Sequence, residues 1–335
     1  MCGVIVVNYH DDLNEVQGGA AGLARLAALP ADAPFDRLAW WQGLAEHCAL
    51  IPLLAVASDG ADCAMLALQR SGRELSALAN WYTFRWQPLT SPGGGALLTA
   101  LARDLAKQTH RITLSPLPDE NGETAQLEAA FRAAGWSTFR TACDVNHVLL
   151  VGGRSYAEYL AARPGQVRTT LKRKASKVTV TIETAFIPNS WAAYEAIYAE
   201  SWKPGEGSPA FLRAFAEAEG AAGRLRLGLA CADGVPVAAQ LWTVEHGTAF
   251  IHKLAHTEAA KPLSPGTTLS AALFEQVIDR DLVQLVDFGT GNDGYKRDWM
   301  EQVRPRFRLE CYRAAAPQNW AAIARQRLRA MRARG

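Results

Sequence analysis

Residues 286–299 read VDFGTGNDGYKRDW and carry the clearest information on the fold and chemistry of the chain. The first three residues end a short, largely apolar strand at 285–288, and a loop with three glycines follows. The loop ends in a cluster of Tyr, Lys, Arg, Asp and Trp side chains. Because a rigid strand can hold the polar groups of such a loop over a cleft, the pattern indicates a functional loop.

The cluster offers groups for acyl-transfer chemistry. Lys296 can polarise a carbonyl or neutralise developing charge, and the Tyr295 hydroxyl can protonate a leaving thiolate. Asp287, at the end of the strand, can accept a proton from an amine, and Asp293 is a second carboxylate in the same loop. The alternative is a plain glycine turn closed by a surface ion pair.

A second signal lies upstream, where residues 264–269 read SPGTTL and predict a helix start. The first amides of a helix and its positive dipole end attract phosphate, and a glycine there lets a ligand approach the backbone. An ordinary capped helix is the alternative interpretation. The predicted donor-binding residues are Lys253, Ser264, Gly266, Thr267 and Thr268.

Composition limits the classes of protein to which the chain can belong. Its 335 residues suggest two domains, and 49% hydrophobic with 20% charged residues is typical of a folded globular protein. No apolar run is long enough for a membrane helix and the first residues lack signal-peptide features, so we expect a cytoplasmic protein. The six cysteines form no CxxC pair and the histidines no HExxH motif, so we predict no metal site.

The order of elements predicts an α+β fold in which the sheet is mixed and partly parallel. Each half combines antiparallel strand pairs with helix–strand units, and tight turns at 233–234 and 246–247 predict a meander before the helix start. The main predicted elements are strands at 53–57, 64–69, 111–114, 143–150, 225–230, 235–244, 248–256, 285–288 and 307–312, and helices at 34–44, 96–108, 124–134, 156–177, 190–201, 209–218 and 264–280.

Two basic segments stand out in a chain whose net charge is only +2. The predicted helix 156–177 carries Arg168, Lys172, Arg173, Lys174 and Lys177, whose mutual repulsion a nearby polyanion would relieve. A solvated basic face is the alternative. The last segment, 316–335, carries five arginines after Trp320 and no acidic residue, which suits anionic lipid, RNA or a solvated terminus.

Aromatic residues at helical spacing follow the basic helix. Trp191, Tyr194 and Tyr198 indicate a buried helix face. Trp202 and Lys203, at the end of that helix and beside a Pro/Gly-rich loop, are the exception, and we predict that they contribute to an acceptor pocket.

These stretches resemble GNAT-like acyltransferases of the type found near bacterial cellulose and exopolysaccharide genes, which are relatives of the Fem-type peptidoglycan aminoacyl transferases. The resemblance covers about residues 155–313 and implies tandem GNAT-like domains: a degenerate one at 1–152, an acyltransferase domain at 153–315 and a basic tail at 316–335. The matching stretches are 168–177, SWKP at 201–204, PVAAQLW at 236–242, HKLA at 252–255, SPG at 264–266, and 287–299.

The resemblance implies an acyl-CoA donor, expected to be acetyl-CoA, bound at a splayed sheet in the second domain. Lys296, Tyr295 and Asp287 are then the catalytic candidates, and Trp202, Lys203, Gln240 and Asp293 the acceptor-binding candidates. The expected acceptor is an amine of a sugar, an amino acid or an envelope or exopolysaccharide precursor.

The segment KPLSPGT at 261–267 departs from the glycine-rich pyrophosphate loop of ordinary GNAT proteins, and proline lacks an amide donor. An aminoacyl-tRNA donor, with the basic helix on the tRNA, therefore stays open as an alternative. A catalytically inactive binding protein of a polysaccharide assembly system is the third possibility.

Overall fold

The structure, a computed structural model, describes residues 4–14 and 31–332. Its contacts group into two compact units, one formed by Met1–Asp144 with Pro305–Gly335 and one by Val145–Arg304. This grouping differs from the predicted division at residues 152 and 315, because β13, the strand that contains Pro305, pairs with β6 of the first unit.

The strands are β1 Val6–His10, β2 Ile51–Ser58, β3 Cys63–Ser71, β4 Glu74–Ala77, β5 Leu89–Thr90, β6 Arg111–Leu117, β7 Trp136–Leu150, β8 Thr179–Glu183, β9 Leu225–Ala232, β10 Val235–Glu245, β11 Thr248–His256, β12 Leu285–Thr290 and β13 Gln302–Arg313. The α-helices are α1 Leu38–Cys48, α2 Leu98–Leu105, α3 Glu123–Ala133, α4 Tyr156–Ala161, α5 Gly165–Lys174, α6 Pro188–Ala199, α7 Pro209–Ala221, α8 Pro265–Glu275, α9 Lys296–Trp299 and α10 Trp320–Arg332.

Both units contain mixed pairing. In the first, β1–β2–β3–β4 is antiparallel, β4 pairs with β6 in parallel, and β6 pairs with β13 antiparallel. In the second, the order is β7–β12–β11–β10–β9–β8, where β11 and β12 are parallel and the other pairs antiparallel. The predicted α+β fold with a mixed sheet is confirmed.

The meander of the second unit follows from its turns. Asp233 and Gly234 have φ angles of 49° and 79°, and His246 and Gly247 have φ angles of 46° and 72°. Positive φ at both central residues matches the twist of a two-residue hairpin. Both predicted turns therefore form, and they bring β9, β10 and β11 side by side.

Helix α8 packs across this meander. A side chain at Gly228 of β9 would come within 2.8 Å of Leu269 and 2.9 Å of Leu273, so glycine permits the close approach of the helix. Phe274 of α8 stacks on Trp299 at 5.1 Å and meets Trp242 edge-on at 5.1 Å. This core fixes the start of α8 relative to β10, β11 and α9.

Two predicted helices differ in their course. The expected helix 156–177 is broken into α4 and α5 at Pro164, which lacks the amide needed to continue a helix. The expected helix 264–280 begins at Pro265 and changes at Gln276 into a π-helical turn that ends at Arg280.

Candidate functional site

The parallel strands β11 and β12 separate soon after they meet. Thr248–Phe250 pair with Leu285–Asp287, and the described residues continue this pairing no further. On its other side β12 pairs with β7, from Leu285 with Leu150 to Thr290 with Asn146, and Gly289 takes a φ of 67° at the irregularity in this pairing. The start of α8 lies beside the end of β11, where a side chain at Gly266 would come 3.6 Å from His256, and the loop of residues 289–295 follows β12.

Asp287 lies at the base of the gap between β11 and β12. Its oxygens accept two hydrogen bonds from Asn146 Nδ2, at 2.8 and 2.9 Å, and one from the Gly289 amide at 2.7 Å. Asp287 and Asn146 are both buried, and Asn146 Oδ1 has no partner among the described residues. The carboxylate thus holds the strand end and its glycine in place.

Lys296 is buried, with 4% of its surface exposed. Its Nζ donates to the Thr290 carbonyl at 2.5 Å and to the Gly289 carbonyl at 3.3 Å, and it lies 5.3 Å from the centre of the Phe288 ring. The ammonium group therefore binds the loop that follows β12.

Tyr295 precedes Lys296 and is half-buried. Burial and the nearby Asp293 carboxylate raise the pKa of its hydroxyl, so the group stays protonated at neutral pH. The hydroxyl lies 3.5 Å from Asp293 Oδ2, and the Lys203 ammonium lies 6.0 Å from the Tyr295 ring. The structure thus brings two predicted site residues, Asp293 and Lys203, next to a third, Tyr295.

The start of α8 presents fewer free amides than the sequence suggested. Ser264 is left-handed with φ of 53°, Pro265 has no amide hydrogen, and the amides of Thr267 and Thr268 donate to the Ser264 carbonyl. Gly266 has room for a side chain, the nearest atom being 3.6 Å away on His256. The Thr268 hydroxyl is buried without a partner among the described residues.

Positive charge reaches this helix start from α5. Lys174 Nζ donates to the Ser264 hydroxyl at 3.0 Å, and the exposed side chains of Lys172, Arg173 and Lys177 follow on the same segment. The sequence left the basic run and the helix start as separate signals. They form one basic surface.

Lys253 of β11 points away from this surface. Its Nζ lies 3.0 Å from both oxygens of Glu206 and 5.4 Å from the centre of the Tyr198 ring. Burial lowers the pKa of Lys253, and it lowers the pKa of Lys203 as well, where the Lys253 charge adds to the effect. The structure thus separates Lys253 from the other predicted donor residues.

A cleft of about 430 Å³ opens beside this ion pair. Its walls are aromatic and aliphatic, and two carboxylates and one ammonium group enter it. The lining residues are Trp191, Tyr194, Glu195, Tyr198, Ala199, Lys203, Gly205, Glu206, Pro209 and Leu212. The aromatic residues that the sequence assigned to a buried helix face therefore also form one wall of the cleft. The sequence could not show this, because a core-facing and a cleft-facing helix surface have the same residue spacing.

Trp202 and Gln240 complete the predicted acceptor residues. Trp202 is exposed, and its ring lies 4.4 Å from that of His256 and 5.5 Å from Lys203 Nζ. Gln240 is buried, donates to Gly266 O and Ser270 Oγ, and accepts from Trp242. Gln240 thus joins β10 to the first turns of α8 through these hydrogen bonds.

Comparison with known proteins bears on the second unit. Residues 161–297 match the family model described as acetyltransferase (GNAT) domain. The expectation of an acyltransferase enzyme is confirmed by this match, and the gap between β11 and β12, the α8 start and the cleft all lie within the matched residues. No curated protein matches the chain.

Solved structures share the fold over nearly the whole chain. A conserved protein of unknown function from Bacteroides thetaiotaomicron VPI-5482 has a TM-score of 0.61 and 13% identity, covering 92% of this chain and 100% of its own. FemX has a TM-score of 0.59 and 10% identity, and the match covers 90% of this chain and 96% of FemX. A tandem GNAT protein from the clavulanic acid biosynthesis pathway has a TM-score of 0.52 and 16% identity, and the match covers 91% of this chain and 98% of that protein. The predicted fold of two tandem GNAT-like domains is confirmed.

Within residues 4–14 and 31–332, no helix has the length and apolarity that a bilayer crossing requires. The same residues bring no three His, Cys, Asp or Glu side chains together as metal ligands.

Proposed function

We propose that the chain is an N-acyltransferase that moves an acyl group, expected to be acetyl, from acyl-CoA to an amine. The observation that carries this proposal is the separation of β11 from β12, together with the approach of the α8 start to the end of β11 at His256. An open edge between two parallel strands can accept the amides of an extended donor chain, and the adjacent basic surface can accept its phosphates.

The donor's charged end is proposed to lie where Lys174 meets Ser264. The ammonium of Lys174, the Gly266 amide and the hydroxyl of Thr268 provide donors for phosphate oxygens. Because the amides of Thr267 and Thr268 already donate to a carbonyl, the lysines supply more of the attraction than the helix end does. Lys253, which pairs with Glu206, is not included in this proposed site.

The acceptor is proposed to enter the aromatic cleft. Its carboxylates, Glu195 and Glu206, can bind an ammonium or hydroxyl groups, and its aromatic walls can pack against the face of a sugar or an apolar body. This combination suits an amino sugar, an amino acid or an envelope or exopolysaccharide precursor that carries an amine. Trp202 and Lys203 lie at the end of the helix that forms one wall.

The reaction proposed is direct attack of the neutral amine on the donor's carbonyl carbon, so that a C–N bond forms and the C–S bond breaks. Tyr295, protonated at neutral pH, is proposed to give its proton to the departing thiolate. Asp293, 3.5 Å from that hydroxyl, is proposed to take the proton lost by the amine. Asp287 and Lys296 are proposed to hold the loop geometry through their bonds to residues 289 and 290.

Titration calorimetry with acetyl-CoA tests the donor assignment. Loss of the Lys174 ammonium in Lys174→Met should weaken binding about tenfold, the effect of one hydrogen bond from a charged group. Lys107→Met, which removes an exposed lysine of the first unit, is the matched control and should bind as the unaltered protein does. Equal affinities of the two variants, or absence of binding to the unaltered protein, would refute the donor site.

An aminoacyl-tRNA donor is the second candidate, favoured by the charge of α5. Residues 159–182 contain no acidic residue, and Arg168, Lys172, Arg173 and Lys177 are exposed. Neutralisation of phosphates by these side chains predicts that affinity for tRNA falls steeply with salt. Filter binding across a salt series, with Lys172→Gln/Arg173→Gln flattening the slope, would support this donor, and a flat series for the unaltered protein would exclude it.

A catalytically inactive binding protein is the third candidate. It would bind an amine-bearing saccharide in the aromatic cleft and release no thiol from acetyl-CoA. A thiol-release assay with a panel of amino sugars and amino acids separates it from the enzyme.

A further inference from the structure

Helix α10 presents an apolar stripe to solvent. Trp320, Leu328 and Met331 are 60%, 53% and 62% exposed, and Ala324 between them is exposed as well. At 3.6 residues per turn, these four side chains fall within one sector of about 80°. Apolar residues exposed singly are common on protein surfaces, but a continuous stripe along one helix face marks an interaction surface.

Arginines border the stripe on both sides. Arg325 and Arg332 follow one edge and Arg327 the other, and all three are exposed. The chain contains no acidic residue after Glu310, so nothing in the sequence of α10 neutralises this charge. An apolar stripe between arginines is the arrangement of a helix that lies in a bilayer interface.

The other side of α10 is attached to the first unit. Ile323 is buried there, and Gln326 Nε2 donates to Glu310 Oε2 at 2.5 Å. At the first residue of the stripe, Trp320 Nε1 donates to the Ala314 carbonyl at 2.8 Å. These contacts fix the rotation of the helix about its axis. The stripe and its arginines therefore face outward together, as a preformed surface.

We propose that this face of α10 binds the surface of an anionic phospholipid bilayer. The arginines would contact the lipid phosphates, and Trp320, Leu328 and Met331 would enter the headgroup region. RNA fits less well, because phosphate contacts make no use of the aliphatic stripe. A second copy of the chain fits less well because its arginines would lie against these arginines.

Vesicle co-sedimentation of the full chain tests the proposal. The protein should bind vesicles that contain phosphatidylglycerol and stay in solution with pure phosphatidylcholine vesicles. Binding should weaken with added salt, and Arg325→Gln/Arg327→Gln should lower the partition coefficient about fivefold for each arginine removed. The charge-matched control is Arg73→Gln/Arg103→Gln, two exposed arginines elsewhere in the same unit.

A second pair of variants isolates the apolar stripe. Trp320→Ala/Leu328→Ala should abolish vesicle binding, whereas Trp81→Ala, which removes a tryptophan that is 63% exposed, should leave it unchanged. Circular dichroism confirms that each variant is folded.

Four outcomes would overturn the proposal: no binding to anionic vesicles, equal binding to both kinds of vesicle, loss of binding in the control variants as well, or a dimer that Leu328→Ala dissociates. Binding of single-stranded RNA that depends on the arginines and ignores Trp320 and Leu328 would likewise replace it.

Discussion

Replacement of Lys296 by methionine measures how strongly its ammonium holds the loop that follows β12. The side chain is buried, and its Nζ donates to the Gly289 and Thr290 carbonyls at 3.3 and 2.5 Å. Methionine keeps most of the stem volume and leaves both carbonyls without this donor. Hydrogen bonds from a charged group contribute roughly 1.5–3 kcal/mol each, and relief of the cost of burying the ammonium offsets part of that. We expect a net loss of about 2–4 kcal/mol in the free energy of unfolding.

Guanidinium unfolding followed by circular dichroism gives this quantity, provided that the slope of the transition is unchanged. Arg297→Met is the matched control, because its exposed guanidinium bonds only a side chain of the surface loop within the described contacts. It should change stability by no more than about 0.5 kcal/mol. Identical midpoints for Lys296→Met and Arg297→Met would refute the reasoning.

Three further predictions concern the proposed acyl transfer and its surroundings. Tyr295→Phe should lower kcat by about 10²–10⁴ and leave the affinity for acetyl-CoA unchanged, as expected for loss of a general acid; an unaltered kcat would remove Tyr295 from the mechanism. Glu206→Gln should raise KM for the amine acceptor and leave KM for the donor as it is, which steady-state kinetics with each substrate varied would show, and a change confined to the donor would contradict the cleft assignment. Burial lowers the folded-state pKa of Lys203, so the unfolded chain binds more protons just below pH ~10.4 and stability should rise with pH in that window. Lys203→Met should flatten that rise when unfolding is measured across this pH range. An unchanged slope would contradict the lowered pKa of Lys203.

Local signals in the sequence predicted much of the second unit. The turns at Asp233-Gly234 and His246-Gly247 are set by the backbone angles of their own residues. The apolar runs that flank these turns form strands in any sheet that covers their apolar faces. The α8 start was also visible, because proline and glycine mark it directly. Pro164 was equally visible as a helix breaker, and more weight on it would have divided the expected basic helix correctly.

The site depended on contacts that no local pattern contains. Lys174 meets Ser264 across 90 positions of sequence, and Asn146 meets Asp287 across 141. Helical spacing could not tell a cleft wall from a core face at Trp191, since both need apolar residues on one side. Free amides at the α8 start were overestimated, because Pro265 has none and the amides of Thr267 and Thr268 both donate to the Ser264 carbonyl.

The loop of residues 203–208 is fastened to β11 by the ion pair of Glu206 with Lys253, and both partners line or adjoin the cleft. A cationic ligand that approaches Glu206 competes with Lys253 for the same two oxygens. Binding of such a ligand and release of the loop from β11 are then one exchange of ion pairs, which a neutral ligand of equal size cannot make. Selectivity for cationic ligands can thus arise at the entrance of the cleft, before the chemical step.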